Sequence, residues 1–164
     1  MDITKIKSGT SEKLNVLILA TKDSKYFYHY DKNADAYFLE KVLRQKFPFC
    51  YGVAPRTHSG DAGYLDVVLL TTDPLEIGTI VVSRTIGMIR FKNDLPDDVL
   101  VAVAVTDKNL ATLNDISNIK KKDMVKIEDF LEDFKDKRVE RIFNSIHAKR
   151  TVKHAIDLYN QEFG

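Results

Sequence analysis

Asp61-Ala-Gly-Tyr-Leu-Asp66-Val-Val-Leu-Leu70 and, further along, Asp97-Asp-Val-Leu-Val-Ala-Val-Ala-Val105 are the stretches that decide the fold. Each places aspartate at the head of a short β-branched run, the composition of a strand entered from a polar loop. Asp61, Asp66 and Asp97 are separated in sequence, but carboxylates at strand ends can converge on one divalent cation, which prefers oxygen donors.

Working outward, strand-like runs recur at Asn15-Val-Leu-Ile-Leu-Ala20, Tyr26-Phe-Tyr-His-Tyr30, Ala36-Tyr-Phe-Leu39, Thr79-Ile-Val-Val-Ser83 and Ile86-Gly-Met-Ile-Arg-Phe91. Turn signals separate them at Asp31-Lys-Asn-Ala-Asp35, Ser59-Gly-Asp-Ala-Gly63 and Asn93-Asp-Leu-Pro96. Short strands at this spacing predict a barrel. Beyond Asp107 the apolar period becomes helical: Ile127, Phe130, Leu131 and Phe134 share one face, and Thr151, His154, Ala155, Leu158 and Tyr159 share another. The predicted architecture is α+β, a small closed OB-like barrel of five strands with two or three C-terminal helices, in a single domain over residues 1–164.

Composition narrows the partners. With 164 residues, 44% of them hydrophobic, the chain is expected to bury roughly 70% of its unfolded surface. A net charge of +1 gives no global attraction to nucleic acid or to an anionic membrane. The single cysteine, Cys50, excludes an internal disulfide and reads as a small buried hydrophobe. No signal-peptide core stands at the N-terminus, and no run approaches the roughly 18 apolar residues of a spanning helix, so a cytoplasmic location is expected.

The motifs together resemble the soluble family I inorganic pyrophosphatases over nearly the whole chain. Asp61-Ala-Gly-Tyr-Leu-Asp66-Val is similar to that family's Asp-Gly-Asp-Pro-x-Asp-Val, with Gly63 in place of the middle aspartate. Asp73-Pro-Leu-Glu-Ile-Gly78 and Arg84-Thr-Ile-Gly-Met-Ile89 follow in the family's order. Aligning Leu100-Val-Ala-Val103 puts Asp97 on a family aspartate, Lys92 on another and Val99 on a lysine. Phe27 and His29 stand where a lysine and a glutamate are usual. Lys41 takes the place of a phosphate-contacting arginine. Tyr51 matches within Phe47-Pro-Phe-Cys-Tyr-Gly52, and Phe134-Lys135 replaces Tyr-Lys.

The resemblance implies Mg²⁺ held by Asp61, Asp66 and Asp97, and diphosphate or phosphate contacted by Lys41, Tyr51 and Lys135. The family's general base falls at Gly63, leaving no intact catalytic set; losing a positioned base costs on the order of 10²–10⁴ in rate. The expectation is therefore a pseudoenzyme with activity near or below detection, retained as a homo-oligomer or as partner of an active pyrophosphatase. Two alternatives stay open: a low-rate Mg²⁺-dependent inorganic diphosphatase, and a sensor of phosphate or a phosphometabolite. Asp94 or Asp98 is the candidate substitute for the acid missing at Lys92.

Without the resemblance, three aspartates near turns read as solvated turn formers. If they converge, they require a metal, a raised pKa or a neighbouring base, for which Lys92 is the candidate. The aromatic group Tyr26, Phe27, Tyr28, Tyr30, Tyr37 and Phe38 reads mainly as barrel core, with part of it an oligomer surface. His29, His58, His147 and His154 lack ligand spacing, and the basic runs Lys120–Lys122 and His147–His154 read as solvated faces.

Overall fold

The computed structural model describes residues 2–59 and 63–163; Asp61 lies outside them. Eight strands and two long helices follow one another: β1 Leu14–Ala20, β2 Tyr26–Asp31, β3 Ala36–Val42, β4 Cys50–Ala54, β5 Leu65–Leu70, β6 Ile80–Phe91, β7 Asp97–Ala104, α1 Lys121–Lys135, β8 Val139–Phe143 and α2 Ser145–Phe163. The strands run in the order β1-β4-β5-β7-β6, and β6 returns to β1, so five strands close on themselves as expected. Closure removes the exposed edges that an open sheet would present. β8 adds to β6 outside the ring, and β5 and β7 are its parallel pair.

Alternating side chains divide into two apolar clusters, as the two-residue period of a strand requires. Val16, Ile18, Val67, Leu69, Leu100 and Ala102 share one with Ala148, Val152 and Ala155 of α2. Tyr51, Val68, Val99, Val101 and Val103 share the other with Ile127, Phe130 and Leu131 of α1. The predicted helical faces are largely those buried, but His154 is exposed and Val152 takes its place in the core.

The strand reading needs four corrections. The runs predicted at Thr79–Ser83 and Ile86–Phe91 fall in one strand of 12 residues that starts at Ile80 and continues through a bulge between Thr85 and Gly87. Cys50–Ala54 is a strand although it follows Pro48 and contains Gly52; a Cβ at residue 52 would collide with the Leu17 carbonyl of neighbouring β1. Val139–Phe143 pairs with β6 despite its mixed polarity, because only one of its residues is buried. Finally, β2 and β3 form a separate two-stranded hairpin, so the aromatic group is only partly core: Tyr26 is 49% and Phe38 45% exposed, whereas Phe27 joins the α1-side cluster.

Candidate active site

Asp66 is the second residue of β5 and Asp97 the first of β7. In the parallel register Asp66 lies opposite Val99, two residues beyond Asp97. The strand period therefore sends Asp66 and Asp97 to the same face as Val99 and Val101, the face covered by α1. Tyr51 on β4 lies opposite Val68, two residues beyond Asp66, and reaches the same corner.

The contacts follow from this placement. Tyr51 Oη donates to Asp66 Oδ2 at 2.8 Å. Lys135, the last residue of α1, sets its Nζ 2.9 Å from Asp97 Oδ1 and 3.7 Å from Asp66 Oδ2. Lys137 Nζ donates to Asp97 Oδ2 at 2.7 Å. Two residues apart, both lysines reach one carboxylate because Asp136 between them turns the chain in the left-handed region at φ 52°. The Asp136 amide meanwhile donates to the Asp133 and Glu132 carbonyls, ending the helix.

Burial and charge compete here. Burial raises the Asp66 pKa, opposed by the Lys135 charge and the Tyr51 hydroxyl. At Asp97 burial also pushes upward, but hydrogen bonds from Lys137 and Lys135 outweigh it and the pKa falls below the ordinary 3.8. The Tyr51 hydroxyl is driven well above 10, by burial first and by the Asp66 charge second. Two carboxylates and two ammonium groups thus form a locally neutral set in which each charge has a partner.

Aromatic rings make the adjoining wall. Phe134 meets Phe27 and Tyr51 edge to face, each at 5.2 Å between centroids, and Lys41 Nζ lies 5.7 Å from the Phe134 ring centre. Of the residues predicted to contact an anion, Lys41 and Tyr51 both lie against Phe134, while Lys135 reaches the carboxylates and the Phe91 ring.

Other predicted roles are redistributed. Lys92 is exposed; the bases beside the carboxylates are Lys135 and Lys137. Asp98 is gripped by Arg90 through two bonds of 2.8 and 3.0 Å, because the residue after Asp97 points to the opposite face, and it cannot replace an acid at the site. Asp94 sits in an exposed turn. His29 stacks on Phe38 at 5.9 Å. Among the described residues, a Cβ added at Gly63 would meet only Ser59 Oγ, at 3.9 Å. Lys137 was not foreseen; its signal was a second lysine one residue past the end of a helical period.

The family model for inorganic pyrophosphatase matches residues 16–163. The chain is a member of the inorganic pyrophosphatase family. It is 30% identical to the soluble inorganic pyrophosphatase of Zea mays over 155 residues, 90% of this chain and 72% of the relative. It is also 30% identical to the inorganic pyrophosphatase of Saccharolobus solfataricus, covering 92% of this chain and 94% of that one. The solved inorganic pyrophosphatase from Thermus thermophilus superposes with a TM-score of 0.89 at 26% identity, over 98% of this chain and 99% of the other. The family barrel with its flanking helices is thus the fold described above. Among the described residues no helix is long and apolar enough to cross a membrane.

Proposed function

We propose that the chain binds inorganic diphosphate at the corner formed by Lys41, Tyr51, Lys135 and Lys137 and hydrolyses it slowly to two phosphates. The observation that carries this reading is the gathering of Lys135, Lys137 and the Tyr51 hydroxyl around Asp66 and Asp97, with Lys41 on the adjoining Phe134 ring. Oriented N–H donors in a half-buried corner neutralise phosphoryl oxygens as charge develops on them. Water attacks one phosphorus, the bridging P–O bond breaks, and the proton released by the water passes to Asp66 and on to the departing phosphate. Asp66 suits that role because burial raises its proton affinity. The reaction is slow because Gly63 places no carboxylate beside the water, and because Phe27 and Phe134 supply rings rather than donors.

Mg²⁺ is the cofactor that the family resemblance implies, with Asp61, Asp66 and Asp97 as its ligands. Carboxylate oxygens suit its hard-donor preference. Yet Asp66 already accepts from Tyr51, Asp97 is held by two lysines, and the described residues include no group of three or more acids, histidines or cysteines able to hold a metal ion. The pair as folded is neutralised by its two lysines, and a cation bound there would have to displace them.

A second reading is a pseudoenzyme that binds diphosphate or phosphate without turnover and serves in a homo-oligomer or beside an active pyrophosphatase. The side-chain-free Gly63 and the apolar wall at Phe27 and Phe134 favour it, while the relatives, all bearing the name inorganic pyrophosphatase, favour hydrolysis. Phosphate release from diphosphate at millimolar Mg²⁺, run beside Asp66→Asn to expose contaminating enzyme, separates the two. Turnover above the Asp66→Asn background supports the slow diphosphatase; turnover equal to it with diphosphate still bound establishes the second reading.

A further inference from the structure

The residues around Asp97 carry an inference about how the site is charged, resting on the reading that this corner receives diphosphate. Asp97 has an ammonium group on each oxygen, Lys135 at 2.9 Å on one and Lys137 at 2.7 Å on the other. The lysines are not equivalent. Lys135 is 12% exposed and also reaches Asp66, so it is held between the two carboxylates. Among the described residues of the cluster Lys137 pairs with Asp97 alone, and its side chain is 33% exposed. It can swing toward solvent or toward an incoming anion without opening a cavity. A divalent ion coordinated by Asp97 Oδ2 would need the space and the charge complement that the Lys137 ammonium now provides.

We propose that Lys137 is a tethered counter-ion that competes with divalent cations for Asp97, so that the corner is prepared for an anion before any metal arrives. Two ammonium groups within a few ångströms repel a third cation, and at partial burial that repulsion is weakly screened. Metal affinity is set low by the chain itself. When diphosphate enters, Lys137 moves from carboxylate to phosphoryl oxygen, exchanging one charge-assisted hydrogen bond for another.

The test is Mn²⁺ binding by titration calorimetry, without diphosphate, to the full chain, to Lys137→Met and to Lys137→Arg. Methionine keeps the length and removes the charge; arginine keeps the charge. Lys137→Met is expected to bind Mn²⁺ at least about ten-fold more tightly than the parent, roughly 1.4 kcal/mol, and Lys137→Arg to bind as the parent does. Adding Asp97→Asn to Lys137→Met should abolish the gain. Equal Mn²⁺ affinity in parent and Lys137→Met overturns the proposal, as does tightening in both variants. Thermal melts establish that each variant is folded. Diphosphate titrated in the presence of a chelator tests the functional reading separately: if the Mn²⁺ pattern holds but the parent ignores diphosphate, the counter-ion stands and the assigned ligand falls.

Discussion

Lys135→Met is the substitution that places the greatest demand on the charge arrangement at the end of α1. The Lys135–Asp97 pair is 2.9 Å apart, with side chains 12% and 13% exposed. At an effective dielectric of 20 the gross attraction is about 6 kcal/mol, offset by desolvation of both ions. Asp97 keeps Lys137 at 2.7 Å after the change, so the loss is that of one charge-assisted hydrogen bond, about 1.5–3 kcal/mol, and not of the sole partner of a buried ion. The contact with Asp66 is the weaker of the two, longer at 3.7 Å, but it still opposes the rise in the Asp66 pKa that burial causes. The sign of the pH dependence follows from the Asp97 shift. Its folded pKa lies below 3.8, so its contribution is present above that value and lost as pH falls through the depressed one. Without Lys135, both carboxylates are held at higher pKa, and protonation relieves the variant at a pH where the parent gains nothing. Urea denaturation should give a deficit of about 1.5–3 kcal/mol at pH 7, clearly smaller at pH 5. A deficit equal at both values, or under about 1 kcal/mol at pH 7, the range of surface pairs, would refute the reasoning.

Three further outcomes follow from other contacts. Asp98→Asn should cost about 1–3 kcal/mol by weakening the two-bond grip of Arg90 while leaving phosphate release unchanged, because Asp98 faces away from the corner; a fall in turnover would count against that placement. Leu131→Ala empties a fully buried position on the inner face of α1 and should lower stability by about 2–5 kcal/mol in a denaturant titration. Asp115 accepts from the Ser145 amide at the start of α2 and from Ser117, and its pKa is lowered to about 2 by these bonds although burial opposes them. Asp115→Ala should therefore lose about 0.5–2 kcal/mol at neutral pH, the gap from the parent closing as pH falls from about 4 toward about 2; a gap that persists at the acid end would contradict the assignment.

Much of the fold was legible because the barrel strands are apolar runs with clear stops, as at Leu65–Leu70 before Thr71-Thr-Asp-Pro. The segments that escaped were those whose stability comes from neighbours. Cys50–Ala54 is a strand because β1 and β5 flank it, and Gly52 and Pro48 are local signals that tertiary pairing overrides. Val139–Phe143 sits outside the ring on β6 with little buried surface, so no hydrophobic pattern marks it. At the site, Asp66, Asp97, Tyr51 and Lys135 were found by family spacing, and their convergence follows from strand register. Lys92 was assigned the neutralising role from position in the motif alone. Side-chain partners depend on where a helix ends, and the turn at Asp136 that brings in Lys137 leaves no periodic trace.

That turn joins α1 to β8, the strand added outside the closed ring. Val139 donates its amide to the Glu132 carboxylate, Lys92 donates its own to the Arg138 carbonyl, and among the described residues β8 pairs along β6 alone. Segments with few buried contacts open locally at lower free energy than the core. Amides of β8 should accordingly exchange with deuterium sooner than those of β5 and β7, and each such opening carries Lys137 away while Lys135, rooted in the helix, remains. The electrical state of the corner therefore fluctuates with the docking of a single peripheral strand, on the timescale of that strand's opening rather than that of the barrel's unfolding.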